Sequence, residues 1–181
     1  MITNLIADSL LKSSSYETYR NLVKNLLAEG KSTGPNQSEY ILNYSMLNDK
    51  RMDRLDKTLK ISDETLAFIN EFDKKVTLLV ISEGWCGDAA QVMPMLNKIA
   101  ETSNTIDLKV VLRDENEELM NQFLTNGSKS IPKTVLLDEE NNVLNSWGPR
   151  PSIATKMVLA YKAKNGALDD TFKKDLQLWY N

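Results

Sequence analysis

Histidine is absent from the 181 residues. Its absence excludes Ser-His-Asp and Cys-His catalysis, His-ligated zinc and imidazole acid–base chemistry. Cysteine occurs once, as Cys86, so neither an intrachain disulfide nor a cysteine-rich metal cage can form. An iron–sulfur cluster would need a second subunit or outside ligands. The seven glycines, at positions 30, 34, 84, 87, 127, 148 and 166, compose neither Gly-x-Gly-x-x-Gly nor Gly-x-x-x-x-Gly-Lys-Ser/Thr. The standard nucleotide cradles are therefore missing. Catalysis, if there is any, rests on one thiol or on carboxylates, and no metal or cofactor is expected.

Long apolar runs are lacking too. The longest, Val76 to Ile81, is far too short to cross a bilayer. The N-terminal stretch MITNLIADSLLK carries no basic region, and Asp8 interrupts it, so no targeting segment is read there. The expected setting is cytoplasmic, where an unpaired thiol stays reduced. Charge of one sign is also scarce: 22 Lys and Arg face 25 Asp and Glu, a net charge of −3. That balance predicts no nucleic-acid partner and no anionic membrane surface.

The first third of the chain has helical patterning. Ser14-x-x-Glu17 fits a capping box, and Tyr16, Tyr19, Leu22, Val23, Leu26 and Leu27 follow helical spacing. Gly30 stands where a helix-ending glycine would, and Thr33-Gly34-Pro35-Asn36 is turn chemistry. Positions 37–60 hold no Gly or Pro, which predicts one long helix or two in succession. Ser62 is placed to cap a short helix bearing Leu66, Ile69 and Phe72.

Beyond Lys75 the pattern changes to alternating strands and helices. Strands are predicted at 76–81, 106–112, 134–137 and 143–147. Helices are predicted from Ala90 to Ala100, from Asp114 to Asn126, from Pro151 to Lys164, and around Phe172, Leu176 and Trp179. A β-α-β unit demands a parallel pair, and the five-residue link 138–142 demands an antiparallel hairpin. A four-stranded mixed sheet satisfies both. The resulting division is a helical N-terminal extension, 1–72, packed on an α/β domain, 73–181, with an extra C-terminal helix.

The informative point is the first strand-to-helix junction, Glu83-Gly84-Trp85-Cys86-Gly87. A cysteine at a helix start meets unpaired N–H groups and the positive end of the macrodipole. A thiolate is stabilised there, below the free value of about 8.5. Asp88 opposes it in the same turn. A structural cysteine packed as a small hydrophobe fits the local pattern equally well. Arg113 and Arg150 are most simply salt-bridge partners, and Glu115, Glu117 and Glu118 a solvated helix face.

These residues carry a resemblance. Trp85-Cys86-Gly87-Asp88-Ala89 resembles the Trp-Cys-Gly-x-Cys turn of the thioredoxin superfamily. Pro94, the Ile131-Pro132-Lys133-Thr134 stretch and Gly148 fall in register with that fold's other landmarks. The chain is also similar to a bacterial group of thioredoxin-like proteins whose turn reads Trp-Cys-Gly-Asp-Cys and which carry a helical extension. Residues 33–38 and 147–151 resemble that group as well. The resemblance implies a thioredoxin-like fold, a cis bond before Pro132, and backbone groups of Ile131 facing Cys86. Trp85, Gly87, Asp88, Ile131, Pro132 and Gly148 would then form the substrate surface around the reacting Cys86. Two parts of the family's machinery are replaced: the second cysteine by Ala89, and a buried acid by Val80.

Two functions follow. One is monothiol exchange, in which Cys86 attacks a protein disulfide or a low-molecular-weight thiol adduct and an external thiol resolves the product. The other is a redox-inactive recognition module, with a protein partner for the helical extension.

Overall fold

The computed structural model describes residues 2–180. Four helices come first: α1 (Ile2–Leu11), α2 (Tyr16–Ala28), α3 (Glu39–Thr58) and α4 (Asp63–Glu71). Serine N-caps start three of them: Ser15, Ser38 and Ser62 accept hydrogen bonds from the N–H groups of Thr18, Ile41 and Thr65. The cap of α2 is thus Ser15 and not the predicted Ser14. Ser14 instead pairs with Val110, exchanging both backbone hydrogen bonds at 2.9 Å. A peptide group satisfied by a strand cannot also enter a helix, so the start moves by one residue. Gly30, at φ +70°, follows α2 as expected, and α3 runs unbroken.

The sheet is built from β1 (Val76–Ser82), β2 (Ile106–Leu112), β3 (Lys133–Leu137) and β4 (Val143–Trp147), in the order β2-β1-β3-β4. The β1–β2 pair is parallel, with Val80 opposite Val110, and α5 (Ala89–Glu101) makes the crossover. β1 with β3, and β3 with β4, are antiparallel. Leu79, Val80 and Ile81 are consecutive and fully buried. Successive side chains point to opposite faces, so both faces of the central strand are covered near its C-terminal end.

Between β2 and β3 the predicted helix from Asp114 to Asn126 is shorter than its periodicity suggested. A 3-10 turn occupies Arg113–Glu115, and α6 covers only Glu117–Gln122. The Asp114 N–H is taken by a side chain, Glu83, at 2.9 Å. Asn116, whose Nδ2 donates to the Leu112 carbonyl, then separates the two pieces.

One core joins the N-terminal helices to the sheet: Ile6, Tyr16, Tyr19, Val23 and Met52 cluster with Leu79, Ile81, Val110, Met93 and Leu137. This compact unit ends at Pro149; the second begins at Arg150. The change in secondary structure near residue 73 is therefore not where the compact units part. The second unit holds α7 (Ser152–Asn165) and α8 (Asp170–Trp179) around its own small core of Ala154, Val158, Phe172 and Leu176. Tyr161 and Phe172 stack there at 4.2 Å. Among the described residues, no helix is long and apolar enough to cross a membrane.

Candidate functional site

β1 ends at Ser82, and the chain must turn sharply to enter α5. The Cys86 N–H closes that turn on the Glu83 carbonyl at 3.1 Å, and the Ala90 N–H reaches the Cys86 carbonyl at 3.1 Å. Cys86 is therefore the hinge between turn and helix. Its Sγ accepts the Ala89 N–H at 3.5 Å, as an N-capping side chain would, and lies 3.3 Å from the Ile131 carbonyl oxygen, to which it donates as a thiol. The two contacts favour opposite protonation states: the N–H stabilises a thiolate, the carbonyl a thiol. The residue is buried, at 7% exposed.

The carbonyl comes from the loop that enters β3. The Ile131–Pro132 peptide bond is cis, and both residues are buried. Gly148, at the end of β4, has φ +121°, and a Cβ there would collide with the Pro132 carbonyl oxygen. Only glycine permits this close approach. Trp85 is half-buried, with the Arg113 guanidinium 4.7 Å from the ring centroid. Arg113 also pairs with Asp114 at 2.8 Å, joining the ring to the end of β2. Asp88 is buried at the N-cap of α5 and makes no side-chain capping bond. Gly87 is half-buried in the turn.

The singled-out residues therefore stand on three segments: 85–88 before α5, 131–132 before β3, and 148 after β4. Cys86 meets Ile131 directly, and Pro132 meets Gly148. Ala89 is 1% exposed, and Val80 lies fully buried in β1. Glu115, Glu117 and Glu118 are exposed.

Sequence reasoning missed the groups that hold the turn from behind. Gly84, two residues before the thiol, donates its N–H to Thr33 Oγ1 at 2.9 Å, and its carbonyl accepts from Asn48 Nδ2 at 3.1 Å. A Cβ on Gly84 would press on Val23 and Thr33. Gly34, at φ +79°, is seated against the Asp114 carboxylate. The Glu83 carboxyl is fully buried. Burial raises its pKa, opposed by hydrogen bonds from the Thr33 hydroxyl and the Asp114 N–H. Tyr19, from α2, is 1% exposed; burial first, and then charge on Cys86 and Glu83, drives its hydroxyl far above its ordinary range. The unusual stretch 33–38 was a signal for Thr33, whereas Asn48 carried none.

Among the described residues, no group of three or more acidic or cysteine side chains is placed to hold a metal ion. Two solved structures share the architecture over nearly the whole chain. An HIV epitope scaffold matches with a TM-score of 0.56 at 18% identity, covering 90% of this chain and 96% of its own. A protein of unknown function from Pseudomonas aeruginosa matches with a TM-score of 0.54 at 19% identity, covering 91% and 96%. At these identities the likeness is one of fold. The sequence itself goes further: the family model described as Thioredoxin matches residues 34–167, from the Gly34 turn to just past α7. Taken with the four-stranded mixed sheet and the thiol at the first strand-to-helix junction, that match shows that the chain belongs to the thioredoxin family.

Proposed function

We propose that the protein carries out monothiol thiol–disulfide exchange, with Cys86 as the attacking sulfur and an external thiol completing each cycle. The observation that supports this reading is the setting of one atom: Cys86 Sγ lies between the Ala89 N–H at 3.5 Å and the Ile131 carbonyl at 3.3 Å. The N–H of a helix start stabilises the attacking thiolate. Loss of the thiol proton also frees the Ile131 carbonyl to accept an N–H from an extended substrate, in the manner of strand addition. Trp85, Gly87, Asp88, Pro132 and Gly148 would flank that substrate.

The thiolate attacks one sulfur of a protein disulfide or of a protein–low-molecular-weight thiol adduct. A Cys86–sulfur bond forms, the substrate's disulfide breaks, and the departing thiolate takes up a proton. An external thiolate then attacks the mixed disulfide, restores the Cys86 thiolate and leaves as a new disulfide with the captured sulfur. Ala89 offers no sulfur for this second step, so the resolving thiol comes from another molecule. The cycle calls for a compartment rich in reduced thiols, such as the cytoplasm.

Incubating the folded protein with a glutathione-capped peptide disulfide and weighing the product intact tests the reading. One adduct on Cys86 is expected, released by excess glutathione and absent from Cys86→Ala. A folded protein that forms no adduct, or an adduct that glutathione cannot release, would overturn it and leave a redox-inactive recognition module.

A further inference from the structure

Both peptide groups flanking Gly84 are tied to side chains far back in the sequence. The Glu83–Gly84 peptide gives its N–H to Thr33 Oγ1 at 2.9 Å, and the Gly84–Trp85 peptide gives its carbonyl oxygen to Asn48 Nδ2 at 3.1 Å. These bonds are buried and reach across 51 and 36 residues. Each partner is itself held. Thr33 Oγ1 takes the Gly84 N–H beside the buried Glu83 carboxyl. Glu83 in turn accepts the Asp114 N–H at 2.9 Å. Asn48 is 1% exposed, and its Oδ1 receives Arg51 Nη1 at 2.9 Å. Gln37 closes the loop around Thr33, accepting the Ser32 N–H at 3.0 Å and donating to the Ser32 and Gly34 carbonyls at 2.9 and 2.7 Å.

We propose that Thr33 and Asn48, both from the N-terminal helical region, are positioning residues for Cys86, clamping the Gly84 peptides so that the thiol stays between Ala89 and Ile131. Their bonds go to the Gly84 backbone. They act through the backbone, because Cys86 is fixed by its own N–H on the Glu83 carbonyl and by the α5 start. The helical extension is then part of the thiol site rather than a separate docking module. The significance of the clamp for exchange rests on the monothiol reading above, whereas its effect on the thiol's accessibility does not.

The physical consequence concerns opening. A thiol only 7% exposed is reached by an alkylating reagent chiefly when the turn opens locally. Each clamp bond lost leaves a buried backbone group without its partner in the closed turn, while the open turn can find water. The open fraction rises, and native-state alkylation of Cys86 accelerates with it.

Iodoacetamide alkylation of Cys86 in the folded protein, followed across pH, provides the test, with denaturation midpoints measured alongside. Thr33→Val keeps the shape and removes the hydroxyl; Thr33→Ser keeps the hydroxyl. Thr33→Val is expected to alkylate about tenfold faster, a factor corresponding to about 1.4 kcal/mol, with Thr33→Ser within about twofold of the wild type. Asn48→Asp turns the donor facing Gly84 into an acceptor at nearly constant volume; it should give a like acceleration and serves as the readout if Thr33→Val does not fold. A lower denaturation midpoint with an unchanged native alkylation profile would overturn the proposal, assigning the bonds to stability alone. Equal acceleration by Thr33→Val and Thr33→Ser would overturn it as well. Because iodoacetamide needs no disulfide substrate, a variant effect in a protein inert towards the peptide disulfide would separate failure of the exchange reading from failure of this one.

Discussion

Glu83 illustrates how one residue's surroundings set its protonation. Its carboxyl has no exposed surface, and burial outweighs the Thr33 and Asp114 hydrogen bonds, so its folded-state pKa is raised. The folded state therefore holds the proton more tightly than the unfolded chain. The stabilisation this brings is complete below the ordinary carboxylate range and is lost as pH rises through the raised folded value. Glu83→Gln keeps an oxygen for the Asp114 N–H and removes the titration. Thermal melts of both proteins from pH 4 to pH 8 should show the variant gaining on the wild type as pH rises. A constant difference across that range would mean that Glu83 titrates alike in both states. At the same scale, Cys86, Gly148 and Pro132 were legible because their types are rare in this chain and serve special geometry. Thr33 was marked only by the unusual stretch 33–38 and not by its role, and Asn48 not at all, since nothing local distinguishes a buried hydroxyl or amide whose partner lies 51 or 36 residues away.

The start of α5 sets what this element can do with sulfur. The Ala90 N–H to Cys86 carbonyl bond of 3.1 Å shows that the helical winding already includes residue 86. Positions three apart on such a winding have Cα atoms about 5 Å apart, inside the separation of about 4.4–6.8 Å that a disulfide spans. Ala89→Cys should therefore close an 86–89 disulfide on oxidation. In the peptide-disulfide assay its mixed adduct should shorten in lifetime by at least about tenfold, because the resolving thiol is held in place. Burial of position 89 adds a packing cost of about 1–3 kcal/mol, visible as a lower melting temperature. An adduct as persistent as the wild type's would show that position 89 does not face the sulfur. Elements in general were well marked: the runs at 76–81 and 106–112 became strands because their apolar residues suit burial on one or both faces. The two misread helix starts have one cause. Ser14 and Asp114 look like helix starts locally, but their backbone groups are claimed by Val110 and Glu83.

At the scale of the molecule, the sequence divides near residue 73 by pattern, whereas the core does not divide there. Ile6, Tyr16, Tyr19, Val23 and Met52 are each at most 6% exposed and cluster with the sheet's own apolar residues. Arg20 reinforces this region, buried against Asp49 and Asp53 at 2.8 Å and Asp56 at 3.5 Å, which lie along one side of α3. Burying a large apolar side chain contributes about 1.5–3 kcal/mol, so these five are together of the order of a whole domain's stability, about 5–15 kcal/mol. Residues 73–181 alone would expose the surfaces they cover and would also lose Thr33 and Asn48. That fragment is expected to show no cooperative thermal transition and to bind a hydrophobic dye. Its Cys86 should alkylate at the rate of an unfolded peptide. A sharp transition near the full-length midpoint, with slow alkylation retained, would instead establish that the α/β part holds its own core and its own thiol turn, and that the first 72 residues are an appendage in structure as well as in pattern.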